Sequence, residues 1–439
     1  MRKETVTIKK LGINGEGIAY INQKITFVKG ALIDEEVLIE IVNEKKNYQI
    51  GKLVKVIKPS ESRVEKKCFQ SNECLACPLL PLKYSNQLEF KSKLIEETLN
   101  KYTNINLKKV EIGAIIPNDQ QAHFKNVVKL PITRFKNKLT FGIYQRDSKF
   151  LTLMSDCYVQ NKVINSVLKM LEKIFEEHRL SDYNDRFKTG LRFLIAREFD
   201  HKIQLIFITG RNGIKERALE AIAKIKQVES VYVSVNTSKY QEFELERYDR
   251  IYGVTSMPLY FNQLEFQVSV KSDIPVHVNS ALRIAKLLPE FIGDDVKSIL
   301  EINGGIGLYS MKLSDKYVVK SIDEVIQHTN DGIKNAERNQ KSQISFESGD
   351  LNKLAQAITK NKPIDLLLVH NDREPLSSDM VGVFKRSKAK YIIYISDNIS
   401  STAKDIHELS TSYQLEKIQG IDSLSHSSLV TTISLLKRK

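Results

Sequence analysis

Cysteine is scarce in this 439-residue chain: four occur, at Cys68, Cys74, Cys77 and Cys157, and none follows Cys157. The rest of the chain offers no thiol for nucleophilic chemistry. Long apolar runs are missing as well. No stretch approaches the roughly 20 residues that span a bilayer, and residues 1–10 lack the apolar core of a secretory leader. These absences argue against membrane and secreted classes, so the chain reads as cytoplasmic, a compartment where structural disulfides are rare. Acidic residues are in deficit, with 53 Asp and Glu against 67 Lys and Arg, for a formal charge of +14 and a pI near 9.3. A polyanionic partner is expected, because each neutralised phosphate releases counterions. Lysine-heavy coding in an AT-rich genome would give the same surplus. Residues 1–110 hold 20 Lys and Arg against 13 Asp and Glu, so half the excess charge sits in a quarter of the chain and partner binding is expected at that end.

What is present is ordinary for a folded protein, with 41% hydrophobic and 27% charged residues. The length implies two or three domains. Residues 4–59 alternate apolar and polar side chains in short runs: Thr5-Val6-Thr7-Ile8, Ile18-Ala19-Tyr20, Ile25-Thr26-Phe27-Val28, Glu36-Val37-Leu38-Ile39-Glu40-Ile41 and Gly51-Lys52-Leu53-Val54-Lys55-Val56. With turns at Asn14-Gly15 and Lys29-Gly30, five such strands predict a small closed barrel of the OB type. Tyr20, Phe27 and Tyr48 are its candidate base-stacking residues and equally candidates for its core. Apolar residues at helical spacing (Leu88, Phe90, Leu94, Leu99) predict an amphipathic helix over 83–101. The middle of the chain mixes strands at 140–144 and 204–208 with helices near 160–178 and 214–226, an α+β pattern. From about residue 273 strands and helices alternate, which implies a parallel sheet with helices on both faces. The expected fold class is multidomain α/β, divided at 1–59, 60–272 and 273–439.

The spacing Cys68-x5-Cys74-x2-Cys77 with a distant Cys157 supplies four soft ligands, which suit tetrahedral zinc or a [4Fe-4S] cluster; spacing does not choose between them. In the last region Ile299-Leu300-Glu301-Ile302-Asn303-Gly304-Gly305-Ile306-Gly307 runs a strand into a glycine turn, where Gly305 and Gly307 let backbone approach a nucleoside. Asp323 ends the next strand, where a carboxylate can take two ribose hydroxyls, and Asp350 in Ser348-Gly349-Asp350 closes the third, near an adenine. This is the order expected of an S-adenosylmethionine site at the carboxyl ends of a doubly wound sheet.

Several motifs carry a family resemblance. Gly-Glu-Gly at 15–17, Phe27-Val28-Lys29-Gly30-Ala31-Leu32 and Lys45-Lys46-Asn47-Tyr48 resemble the TRAM domain, an RNA-binding barrel. Lys67-Cys68-Phe69, Cys74-Leu75-Ala76-Cys77-Pro78-Leu79 and a lone cysteine after Phe141-Gly142-Ile143-Tyr144 resemble the cluster-binding pattern of RNA uracil-5-methyltransferases that carry a TRAM domain. The resemblance spans nearly the whole chain. It implies a [4Fe-4S] cluster of architectural role on Cys68, Cys74, Cys77 and Cys157, and S-adenosylmethionine bound by a Rossmann-like domain through Glu301, Gly305, Gly307, Asp323, Asp350 and His277. Asn335 and Asn339 also match that family. Two departures accompany these matches: Gly304 stands where the family usually has cysteine, and His277 where it has glutamine.

The catalytic motifs depart further. In the family, a thiolate in S-C-N-P adds to uracil C6 and a glutamate in H-V-E removes the C5 proton, because C5 is not nucleophilic until the thiol has added. Here Tyr394-Ile395-Ser396-Asp397-Asn398-Ile399 puts Asp397 at the nucleophile position, and Leu429-Val430-Thr431-Thr432 puts Thr431 at the base position. Val369-His370-Asn371-Asp372-Arg373 takes the place of D-P-P-R, with His370 for the aspartate. The resemblance therefore implies a monomeric binder of structured RNA, rRNA foremost, that has lost C5 methylation. The alternative is an RNA methyltransferase acting at a ring nitrogen or ribose hydroxyl, with Asp397 or His370 as base.

Overall fold

The structure, a computed structural model, describes residues 2–439 except 66–67, 69–73, 75, 145–150, 155, 239–246, 362 and 372–373. Lys67, Phe69, Leu75, Asp372 and Arg373 of the motifs above lie outside the described residues.

All five expected strands of the first region form, as Lys3–Thr7, Gly17–Ile21, Lys24–Val28, Glu36–Glu44 and Tyr48–Lys58, joined by a short sixth, Lys10–Leu11. Lys3–Thr7 pairs with Glu36–Glu44, and Lys10–Leu11 pairs with Gly17–Ile21. One bent stretch of chain thus contacts both ends of the sheet and closes it, which removes the edges that an open sheet would expose. Val6, Ile8, Ala19, Val28, Ala31, Val37 and Ile39 fill its interior.

The middle of the chain builds a seven-stranded sheet in the order Leu151–Leu153, Lys138–Tyr144, Val127–Phe135, Leu191–Phe199, Lys202–Thr209, Val228–Val235, Asp249–Gly253. Helices Lys162–Glu177 and Glu216–Ala223 cover one face through Leu168, Leu171, Ala218 and Ile222. Arg197, deeply buried, donates to the carbonyls of Ser269, Val270 and Ser272 and so ties this sheet to the chain that leaves it.

The last sheet has eight strands in the order Ile344–Ser348, Val318–Asp323, Ser298–Ile302, Leu366–Asn371, Tyr391–Ser396, Thr431–Arg438, Tyr413–Ile421, Glu111–Ile116. The first five are parallel, and strand order reverses between Ser298–Ile302 and Leu366–Asn371. A crevice for a ligand is expected outside the carboxyl ends of those two strands. Residues from the span 60–272 also serve this sheet. Glu111–Ile116 forms its edge, and helix Tyr84–Tyr102 packs on it. The hairpin Ser256–Phe261/Leu264–Ser269 lies along helix Ile326–Arg338. There Asn335 and Asn339 each exchange hydrogen bonds with the hairpin backbone, at Gln267 and Glu265. Their place in the sequence pattern thus has a structural reason, since they satisfy polar groups of an edge strand that would otherwise lack partners.

Candidate active site

The strand Ser298–Ile302 delivers Glu301 into the sheet interior, where it is fully buried. A buried carboxylate needs donors, and three supply them. Ser310 and Ser321 hydroxyls donate to Oε2 at 2.5 and 2.7 Å, and His370 Nε2 lies 3.0 Å from Oε1. His370 also stacks on Tyr309, with ring centroids 4.8 Å apart, and its carbonyl accepts from Asn303 Nδ2 at 3.0 Å. Side chains therefore bridge the two strands that flank the switch point. The motif-based reading gave Glu301 to the cofactor and His370 to catalysis; the structure brings them together as each other's partners.

This arrangement explains the glycine at 304. A Cβ there would sit 2.0 Å from Ser321 Oγ and 2.3 Å from Glu301 Oε2, so the family's cysteine and the buried carboxylate network exclude each other. Gly304→Ala is expected to cost about 1–3 kcal/mol by forcing that network apart, read as a drop in the chemical denaturation midpoint.

The turn itself needs left-handed backbone. Asn303, Gly305 and Gly307 have φ of 58°, 57° and 81°, a region that glycine enters without penalty. A Cβ on Gly305 would meet nothing within 4 Å, so space is open above the turn. Asp323 fixes the turn from below: Oδ2 accepts from Gly305 N at 2.9 Å, while Oδ1 accepts from Val325 N at 2.8 Å and lies 2.9 Å from His328 Nδ1. Burial alone would raise Asp323, but the bonds from His328 and the backbone hold its carboxyl below the usual range. Burial would lower His328, and the same carboxylate raises it. The pair's contribution to stability changes with pH in opposite senses on its two flanks. The Asp323 share is present above its ordinary 3.8 and lost as pH falls through the lower folded value. The His328 share is complete below 6.5 and lost as pH rises through the higher folded value. Thermal melts across pH should decline on the alkaline side, and His328→Gln should flatten that limb.

Asp350 is exposed and accepts from Lys353 N at 2.9 Å, which makes it the N-terminal cap of helix Leu351–Asn361. A cap with exposed carboxylate keeps acceptor capacity toward solvent.

The altered catalytic positions meet at the far side of the crevice. Strands Tyr391–Ser396 and Thr431–Arg438 are antiparallel neighbours with Ser396 opposite Thr432, so Asp397 and Thr431 emerge side by side. The Thr431 hydroxyl donates to Asp397 Oδ1 at 2.5 Å and lies 2.7 Å from Ser423 Oγ. The Ser423 carbonyl is 2.9 Å from His277 Nδ1, and Ser280 Oγ is 2.8 Å from the same nitrogen. His277 is buried against Phe124, and burial lowers its pKa; Nε2 has no hydrogen-bond partner among the described residues. The residues that the resemblance assigns to the nucleophile, base and glutamine positions thus form one chain of contacts, Asp397–Thr431–Ser423–His277. The sequence reading missed Ser423, and no local pattern marks it. It also missed Asn371, whose amide donates to Tyr394 Oη and to the Glu374 carbonyl; Tyr394 in turn donates to buried Asp405, which accepts from Leu376 N.

The four cysteines are all half-buried and close enough to sense one another's charge. Burial pushes Cys77 up to about 12 and raises Cys74 and Cys157, while the Lys125 ammonium pulls all three down. Among the described residues no group of three or more His, Cys, Asp or Glu is arranged to hold one metal ion.

Comparison with known proteins agrees with this architecture. A TRAM domain is matched over residues 2–54. An uncharacterized RNA methyltransferase of Fusobacterium nucleatum is 27% identical over 99% of this chain and 95% of its own length. One of Streptococcus pneumoniae is 26% identical over 100% of this chain and 98% of its own. The crystal structure of Pyrococcus abyssi tRNA (uracil-54, C5)-methyltransferase in complex with S-adenosyl-L-homocysteine has the same fold, with a TM-score of 0.79 at 22% identity, covering 98% of this chain and 99% of that one. The matched barrel, the full-length relatives and the shared fold all agree with the TRAM-bearing RNA methyltransferases that the chain's motifs resemble.

Proposed function

We propose that this protein is an RNA-binding member of the S-adenosylmethionine-dependent RNA methyltransferases that does not methylate uracil at C5. The observation that carries the reading is the bond between Thr431 and Asp397. It supports the assignment of these residues to the base and nucleophile positions, and it joins a hydroxyl to a carboxylate where C5 chemistry needs a free base and a thiolate. No cysteine follows Cys157, so no thiol of this domain can substitute.

The open space over Gly305 fits a cofactor. Gly305 and Gly307 would present backbone to it, Asp323 and Asp350 would face its ribose and adenine, and bound S-adenosylmethionine would supply a methyl donor. The family resemblance assigns a [4Fe-4S] cluster in an architectural role to Cys68, Cys74, Cys77 and Cys157, the half-buried thiols that lie within reach of one another's charge. RNA binding is supported by the basic first quarter of the chain and by the barrel face on which Tyr20 and Tyr48 are 49% and 39% exposed, with Phe27 edge-on to Tyr48 at 5.8 Å. Structured RNA, rRNA foremost, is the proposed target of a monomer divided at residues 59 and 272, with helix Tyr84–Tyr102 and strand Glu111–Ile116 serving the last region. The intact glycine turn beside a strand-end carboxylate favours one second reading, methyl transfer to a nitrogen or ribose hydroxyl with Asp397 as base. Titration with labelled S-adenosylmethionine, followed by transfer to total RNA from a deletion strain, separates the two. RNA binding without transfer is expected; a methyl on nitrogen or ribose would install the second reading in place of the first.

A further inference from the structure

The central sheet carries a feature that the catalytic positions do not use. Strand Val127–Phe135 starts beside Asn126, whose side chain accepts from Val278 N next to His277, and ends at an exposed turn. Nine residues at about 3.3 Å each put that turn about 30 Å from the active-site end. At the turn Phe135 is 47% exposed beneath Lys136, whose ammonium is 5.5 Å from the ring. The neighbouring loop presents Phe187, 64% exposed, with the Arg186 guanidinium 5.5 Å from its ring. Arg134 ties the two loops together by donating to Asp182 Oδ1 and to the Leu180 carbonyl.

Phe187 is held in place. The Asn184 side-chain oxygen accepts from both Arg186 N and Phe187 N at 3.0 Å, and Lys188 N closes the turn onto the Asn184 carbonyl at 2.7 Å. A backbone already fixed at this position loses little freedom when the ring it presents is bound, which favours stacking. Charge points the same way. Asp182 and Asp185 are taken by Arg134 and Lys188, whereas Lys136, Arg186 and Arg211 make no ion pair among the described residues. One exposed phenylalanine is unremarkable on a protein surface. Two on one sheet end, each beneath a cation and set in a net positive rim, match what unpaired nucleotides require: aromatic faces for bases and cations for phosphates.

We propose that this end of the central sheet is a second RNA contact, which takes unpaired nucleotides by stacking on Phe187 and Phe135 about 30 Å from the catalytic positions. The inference rests on the RNA-binding reading and adds a requirement to it: the target RNA has a single-stranded loop or tail that reaches past the site.

The test uses the full chain and fluorescence anisotropy with labelled oligouridylate and with a blunt RNA duplex of equal length. Phe187→Ala should weaken oligouridylate binding about tenfold, the effect of one lost base stack, and leave the duplex unchanged. Phe187→Tyr, which keeps an aromatic face, should restore the affinity. Unchanged oligouridylate binding by Phe187→Ala, or an equal loss on the duplex, overturns the inference and leaves the RNA-binding reading standing. If the wild-type chain binds neither RNA, both fall.

Discussion

Wild-type protein given S-adenosylmethionine and unmodified RNA is expected to leave uracil C5 at background, about 10⁴- to 10⁶-fold below an enzyme with thiol and base in place. The size of this effect follows from the chemistry. C5 becomes nucleophilic only after a group adds at C6, and a carboxylate is a poor nucleophile whose adduct would collapse. Asp397 is further committed by accepting the Thr431 hydroxyl, which cannot take the C5 proton at neutral pH. Asp397→Cys alone should remain at background, because nucleophile and base act as a unit. Asp397→Cys with Thr431→Glu supplies both groups and is the variant in which signal should first rise. Nucleoside mass spectrometry provides the measurement, and 5-methyluridine formed by the wild type would overturn the reading.

Lys91→Met should lower the thermal midpoint by about 10 °C, corresponding to about 3–5 kcal/mol for an uncompensated buried charge. Lys91 on helix Tyr84–Tyr102 pairs with Asp422, and their side chains are 0% and 1% exposed. Tyr84 and Ser425 hydroxyls each donate to Asp422 Oδ2 at 2.7 Å, which completes the carboxylate's shell. Burial works to raise Asp422, but the Lys91 charge and these hydroxyls hold it below the ordinary 3.8. Its contribution is therefore present above that value and lost as pH falls through the lower folded one. Methionine keeps the stem's volume and removes only the ammonium, so the loss reports charge. Lys91→Met with Asp422→Leu should recover much of it, since an apolar pair leaves no buried charge. Should the single variant melt like the wild type, the pair would have no structural weight. The pair also bears on the site, because Asp422 precedes Ser423, the residue that links Thr431 to His277.

Several features were legible because they are local. Five barrel strands, the helix at Tyr84–Tyr102 and the alternation of the last region appear where apolar spacing put them. The positions that replace nucleophile and base could be aligned by motif, and they prove to be neighbours across a strand pair. The roles of single carboxylates were harder to read. Glu301 is turned inward onto two serines and His370, and Asp350 caps a helix. Motif order places a residue at a strand end but does not say which donors the fold brings to it.

From the sequence alone came the positive charge, the strand and helix periods, the confinement of every thiol to the first third of the chain, and the motif resemblance behind the expectation that both groups for C5 methylation are replaced. These are properties of composition and short-range spacing, which chain order preserves. Only the tertiary structure decided that Lys91 meets Asp422, that His370 closes onto Glu301, and that Asp397 is bound by Thr431. Each is a choice of partner across 331, 69 and 34 residues, made when close packing forces a buried polar group onto whichever donor or acceptor the sheet order has carried beside it.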